Sequence, residues 1–231
     1  MSEQHTVKAF DNEISQLRGL IAEMGGLAEV AITEAVDALS RRDEEKARQV
    51  VAADARLDAL EAEVDRLAVR VIALRAPMAN DLRDVIAALK ISGVLERIGD
   101  YAKNIAKRVG EMEGRAKIGP ITLVPAMAEI AQGMVRDVLN AYGARDSQLA
   151  VEVIERDEKL DHFYNSLFRS LVTHMMENPA TISSAAQLLF VARNLERIGD
   201  HATNVAEMVY FAATGLYFSE VEGPRDTARV I

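Results

Sequence analysis

The residues best suited to chemistry are carboxylates at helical spacing. Glu96 and Asp100 stand four residues apart, so on a helix they share one face a single turn apart, with Cβ atoms about 5–6 Å from each other. The run that holds them, Leu95-Glu96-Arg97-Ile98-Gly99-Asp100, recurs letter for letter as Leu195-Glu196-Arg197-Ile198-Gly199-Asp200. Upstream, Asp54, Asp58, Glu61 and Asp65 form a second acidic stripe, and Asp157 and Asp161 repeat its first two members. Asn104 and Asn204 extend the motif stripes by one more turn and are expected to support the acids from outside.

The stripes meet if each pair of helices forms an antiparallel hairpin. Asp58 and Glu96 are equidistant from Pro77, and so are Asp54 and Asp100. In the second half, Asp161 with Glu196 and Asp157 with Asp200 are each equidistant from the Asn178-Pro179 junction. A turn at each of these places would set four carboxylates at one height, twice. Crowded carboxylates repel and raise one another's pKa unless a cation compensates them. Oxygen-rich sites of this type suit hard cations such as Mg, Mn, Ca, or iron. The expected ligands are Asp54, Asp58, Glu61, Asp65, Glu96 and Asp100 in one half and Asp157, Asp161, Glu196 and Asp200 in the other. The competing account is a solvated acidic face balanced by Lys103 and Lys107. That account is weaker in the second half, where Thr203 and Glu207 take those places.

Gly99 and Gly199 fall in mid-helix, where glycine costs about 1 kcal/mol relative to alanine. Either a close-packed helix or a metal cluster could require them. His162 and His201 follow acids directly in sequence, but neighbours on a helix point about 100° apart, so a surface or partly packed role is expected for both. The di-iron signature Glu-x-x-His is absent, since Lys159, Leu171 and Ile198 precede His162, His174 and His201 by three. No phosphate-binding loop, His-Glu-x-x-His or Gly-x-Ser-x-Gly is present, and nothing pairs a nucleophile with a base. Met175-Met176 is expected to pack at a helix end.

The elements that would carry these residues are helical. Leu57, Leu60, Val64, Leu67, Val71 and Leu74 recur at alternating spacings of three and four, and Leu95, Ile98, Ala102, Ile105 and Val109 do the same. No window alternates with the period of a strand. Breaks suggest six helices: about Ala9–Ser40, Asp43–Arg75, Asp81–Val109, Leu123–Tyr142 with Gly143 as its stop, Ser147–Met176, and Thr181–Ala213 closed by Gly215. The matched motifs make the chain an internal repeat, expected as two three-helix bundles about a pseudo-twofold axis. The expected division is 1–110, a linker over 111–121 that includes Gly110 to Gly114 and Gly119-Pro120, a second repeat over 122–215, and a frayed tail over 216–231. Leu82, Val85, Ile86 and Leu89 give the third helix a further apolar face. The long first helix is expected to cover one side, with a dimer contact as the lesser alternative for the other.

Composition closes off other classes. The 231 residues carry 36 acidic and 27 basic side chains, a net charge of −9, which argues against nucleic acid as main partner and against direct adhesion to anionic lipid. Cysteine is absent, which removes disulfides, thiolate metal sites and cysteine nucleophiles and fits the cytosol. No apolar run approaches the roughly 18 residues of a membrane span, and no secretory leader is read at Met1-Ser2-Glu3-Gln4-His5.

The residues also resemble a family. Arg75-Ala76-Pro77-Met78-Ala79, Asp81-Leu82-Arg83, Ala87-Ala88-Leu89-Lys90-Ile91 and the run from Leu95 through Arg108 resemble PhoU, as does Ala192 through Glu207 for its second repeat. The similarity spans about Phe10 to Gly215. One departure stands out. The family often places an acidic or amide residue before the Leu-Glu-Arg-Ile-Gly-Asp run, and Asn194 fits whereas Val94 does not. The resemblance implies two three-helix bundles with multinuclear iron or zinc clusters at the acidic motifs. It implies a non-enzymatic cytoplasmic regulator working between the Pst phosphate importer and the PhoR sensor kinase, as a homodimer, reaching the membrane only through partners. Two other functions remain open: a metal-dependent phosphoesterase and a purely structural helical module.

Overall fold

The structure, a computed structural model, describes residues 2–112 and 119–222. Among the described residues eight α-helices follow in order: α1 (Ser2–Arg41), α2 (Glu44–Ala53), α3 (Ala55–Arg75), α4 (Asn80–Glu111), α5 (Val124–Ala144), α6 (Ser147–Glu177), α7 (Ile182–Thr214) and the five-residue α8 (Phe218–Glu222). Short 3-10 turns at Gly119–Leu123 and Pro179–Thr181 lead into α5 and α7. No strand occurs among the described residues.

The leucine seams explain the packing. Leu57, Leu60, Val64, Leu67 and Val71 are all buried and join Leu95, Ile98, Ala102, Ile105 and Val109 in the core. Leu74, the last member of the α3 seam, is exposed because the helix ends one residue later. Helices α1, α3 and α4 make the first bundle, and α5, α6 and α7 the second. The bundles lie side by side, with α4 on α7 and α1 on α5, and their buried residues form one continuous core. Gly25 marks the α1–α5 crossing, where any Cβ would run into the side chain of Leu139. Helix α4 packs on both α1 and α7 of the same chain, and of its extra apolar face Val85 is buried while Leu82 stays 37% exposed.

The repeated Arg-Asp pairs act as chain reversals. Arg42 and Arg145 take the left-handed conformation, with φ of 59° and 54°. The aspartates that follow cap the next helices: Asp43 Oδ1 accepts from the Lys46 amide at 2.9 Å, and Asp146 Oδ1 from the Gln148 and Leu149 amides at 2.9 and 3.0 Å. The expected stop at Gly143 is corrected: the helix runs on to Ala144, and Arg145 makes the left-handed cap. Gly215 does close α7, with φ of 81°.

Two further expectations change. The second expected helix is divided at Asp54 into α2 and α3, where a tightened turn puts the Leu57 amide on the Asp54 carbonyl at 2.8 Å. Its counterpart α6 runs through Asp157 unbroken. Met176 is exposed rather than packed, while Met175 lies against the core. The expected linker begins inside a helix, since α4 reaches Glu111 and Met112 is buried; its residues 113–118 lie outside the described residues. The start of the expected tail folds back, with Phe218 buried against the edge of Tyr210 at 5.4 Å between ring centroids. The frayed portion after Glu222 also lies outside the described residues.

Candidate functional site

The hairpins bring the acids together in both bundles. The turn between α3 and α4 puts Ala76 and Ala79 at positive φ, 45° and 47°, and reverses the chain around Pro77. On the resulting α3–α4 face, Lys103 bridges Asp54, which is buried, and Asp100, whose Oδ1 lies 2.5 Å from Nζ. Those two aspartates thus stand at one height, and an ammonium lies between them. One turn up, Glu96 is pushed to about 7, first by desolvation and then by Asp100, Glu61 and Asp58. Glu61 is also raised, by burial and by its neighbours Asp65 and Asp58, with Arg97 pulling the other way. Asp58 and Asp65 themselves face solvent.

The second bundle arranges its acids differently. Asp157, Asp161 and Asp200 each offer an oxygen within 4.8 Å of the others, the one trio of acidic or imidazole side chains that converges in this way among the described residues. Glu196 stands one turn before Asp200 on α7 and is not part of that trio. Its residue is 8% exposed, and its Oε2 is buried with no hydrogen-bond partner among the described residues. Its Oε1 meets Arg193 Nη1 at 2.5 Å. Desolvation, then Asp200, Asp161 and Asp157, push Glu196 to about 7 against the opposing pull of Arg193. Asp200 is raised too, by burial and Asp161, with Arg193 and Arg197 opposing. Where the first bundle has Lys103, the second has Thr203, whose hydroxyl is spent on the Gly199 carbonyl at 3.2 Å.

The glycines of the repeated motif serve helix packing. A Cβ on Gly99 would collide with Leu57 Cδ1 and approach Asp54 Oδ1 at 3.4 Å; one on Gly199 would collide with Leu160 Cδ2 and approach Asp157 Oδ1 at 3.2 Å. Each glycine lets α4 or α7 settle onto its neighbour and so sets how near the aspartates come. The asparagines do not join the acids. Asn104 makes no side-chain hydrogen bond among the described residues, and Asn204 turns to His201 Nδ1 at 3.2 Å.

His201 has a role that its sequence neighbours did not reveal. It stacks on Tyr101 at 5.3 Å between ring centroids and 18° between planes, with Tyr101 Oη 3.1 Å from Nε2. These are the equivalent positions of the two motifs, so the ring pair lies where the repeats meet on their pseudo-twofold axis. Burial, Arg97 and Arg197 hold its pKa below the usual imidazole range. The repeat itself could have flagged this contact, because equivalent residues on facing helices touch only at the axis.

Two matched three-helix bundles, each with acids between its last two helices, define a class of tandem-repeat helical proteins. The PhoU domain matches residues 21–109 and 124–209, one copy in each bundle. The chain belongs to the PhoU family. The phosphate-specific transport system accessory protein PhoU homolog of Zymomonas mobilis is 56% identical over 216 residues, covering 94% of this chain and 91% of that protein. The homolog of the same name from Caulobacter vibrioides is 49% identical over 213 residues, covering 92% and 93%. The crystal structure of PhoU from Pseudomonas aeruginosa superposes with a TM-score of 0.86 at 38% identity, covering 90% of this chain and all of that one. The phosphate transport system regulatory protein PhoU from Streptococcus pneumoniae gives 0.84 at 26% identity, covering 90% and 98%. These are names of accessory and regulatory proteins rather than of enzymes.

Proposed function

We propose that this chain is a cytoplasmic accessory regulator of a phosphate-specific transporter. It would restrain uptake and keep phosphate-starvation genes silent when phosphate is plentiful, docking on the transporter's ATPase and on a PhoR-type sensor kinase. The observation that carries this is near-full-length similarity, at 56% and 49% identity, to phosphate-specific transport accessory proteins. No described helix is long and apolar enough to cross a membrane, in keeping with contact through partners. A homodimer is part of the proposal by family membership.

The acid clusters would hold cations. The fit is best in the second bundle, where three carboxylates converge and a fourth, Glu196, keeps a buried oxygen without a donor. An all-oxygen donor set suits Mg, Mn, Ca or iron, and zinc belongs to the family expectation. Bound there, a cation would tie carboxylates of α6 to those of α7.

The test is deletion of the gene, read by a phosphate-repressed phosphatase reporter and by phosphate uptake in phosphate-rich medium. Derepression and raised uptake are expected, both reversed by the intact gene. Repression and uptake that stay at wild-type level would refute the proposal.

A further inference from the structure

A groove of about 340 Å³ runs along the seam between α4 and α7, and none of the clustered acids lines it. The two helices pass in opposite directions, since Arg83 lies against Gly215, Tyr101 against His201 and Arg108 against Gln187. The lining is therefore graded along the groove. At one end Phe211 stacks on Tyr217, at 4.6 Å between ring centroids and 16° between planes, and Tyr217 is half exposed. In the middle Glu207 of α7 stands across from Lys90 of α4. At the far end Arg97 faces Asn204 and His201, whose ring is already held by Tyr101 and Asn204. Lys90 and Arg97 are exposed, two turns apart on one face of α4, and neither makes a hydrogen bond or an ion pair among the described residues. Arg97 acts only at longer range, on Glu61 and on His201. In a chain of net charge −9, two cations without acid partners along one groove stand out.

From this order of groups we propose that the α4–α7 groove binds a nucleoside diphosphate, with its base on the Phe211–Tyr217 stack, its ribose at Glu207 and its phosphates on Lys90 and Arg97. The sequence aromatic, carboxylate, cation matches the sequence base, sugar, phosphate. An aromatic stack accepts the π-face of any base, so the site reads no particular one. An ionised carboxylate only accepts hydrogen bonds, and the ribose hydroxyls donate them. Lys90 and Arg97 lie roughly 10 Å apart along the helix axis, a gap that their long side chains close onto two phosphates. The volume falls in the range of small-ligand sites, about 300–1,000 Å³. Other anions use less of the groove. Inorganic phosphate leaves the aromatic end idle, and an acidic peptide meets Glu207 as a like charge midway. One helix comes from each bundle, so the nucleotide would bridge the two repeats. The proposal does not depend on whether the acid clusters hold metal.

The test uses the full-length protein in chelator, so that no metal bridges a phosphate to the acid clusters. ADP, adenosine, pyrophosphate and a hexaglutamate peptide are each titrated by calorimetry into wild type, K90M/R97M, E207A and Y217A, with folding checked by circular dichroism. ADP is expected to bind once per chain, roughly tenfold or more tighter than adenosine or pyrophosphate. K90M/R97M should weaken ADP roughly tenfold or more and leave adenosine unchanged. Y217A should weaken ADP and adenosine alike and leave pyrophosphate unchanged. E207A should erase the wild-type preference for ADP over its 2′,3′-dideoxy form. ADP binding that persists unchanged in folded K90M/R97M places the site elsewhere and overturns the proposal. Pyrophosphate bound as tightly as ADP makes the groove a plain anion site and overturns it as well. Hexaglutamate bound where ADP is not assigns the groove to an acidic protein partner and overturns it. No binding of ADP up to about 1 mM overturns it outright.

Discussion

Replacing Glu196 by glutamine should stabilise the metal-free protein, by an amount that grows as pH rises from about 4.3 to about 7. Glu196 is 8% exposed and its carboxyl is pushed to about 7, chiefly by desolvation and then by Asp200. An acid whose folded pKa is raised contributes its stability below the unfolded value and loses it as pH rises through about 7. At pH 8 the folded protein must ionise this group at a cost of about 3 kcal/mol relative to an ordinary glutamate near 4.3. Glutamine has the shape of the neutral acid and carries no such cost. Arg193 exchanges a carboxylate acceptor for an amide, so about 2 kcal/mol is the expected net gain. For a chain of this size that corresponds to a rise in melting temperature of roughly 4–8 °C. The assay is thermal unfolding of wild type and E196Q in chelator at pH 8 and pH 4. At pH 4 the two should melt almost together, because the acid is then largely protonated in the unfolded chain as well as in the fold. An equal offset at both pH values, or a lower melting temperature for E196Q at pH 8, would refute the argument that burial governs this carboxyl.

Other consequences can be checked on the same instrument. Gly99→Ala and Gly199→Ala gain about 1 kcal/mol of helix propensity but drive a methyl into Leu57 or Leu160, an overpacking cost of about 1–3 kcal/mol, so each should melt lower than wild type. Gly19→Ala, with nothing within 4 Å of the new Cβ, should melt higher, and the opposite ranking would sink the packing account. Asp84→Ala leaves Arg18 and Arg145, which both hold Asp84 Oδ2 at 3.0 and 2.8 Å, without their shared acceptor; a loss of about 1–3 kcal/mol by chemical denaturation is expected.

Much of the fold could be read in advance because helix-period leucines and punctuating turns sit where packing demands them. The α3 seam and the α4 seam were visible as spacings, and the Arg-Asp pairs as repeated turn signals. The break at Asp54 was not, since neither proline nor glycine stands there. Its carboxylate caps no helix and instead reaches a lysine 49 positions on, a partner known only once the bundle exists. Gly143 misled because a left-handed cap is usually glycine, yet Arg145 pays that strain and uses its side chain to bridge Asp84 and the Ala212 carbonyl. At the site, equidistance from Pro77 and from the Asn178-Pro179 junction foresaw that Asp54 and Asp100, and Asp157 and Asp200, come close. The difference between Lys103 and Thr203 was visible as well, but that Lys103 contacts Asp54 and Asp100 together is known only from the fold. The sequence does print both residues, and comparing the repeats position by position is the signal that distinguishes them. Asn104 and Asn204 continued the acidic stripe by spacing alone, but Asn204 also stands three residues from His201 on α7 and hydrogen-bonds to that ring instead.

The undivided interior has a consequence for any ion held near α7. Because α1 leans on α5 and α4 on α7, neither half can open without exposing apolar side chains of the other. The whole molecule should therefore melt in a single transition, and a cation gripped by the second half should slow amide exchange in α1, whose residues never touch it.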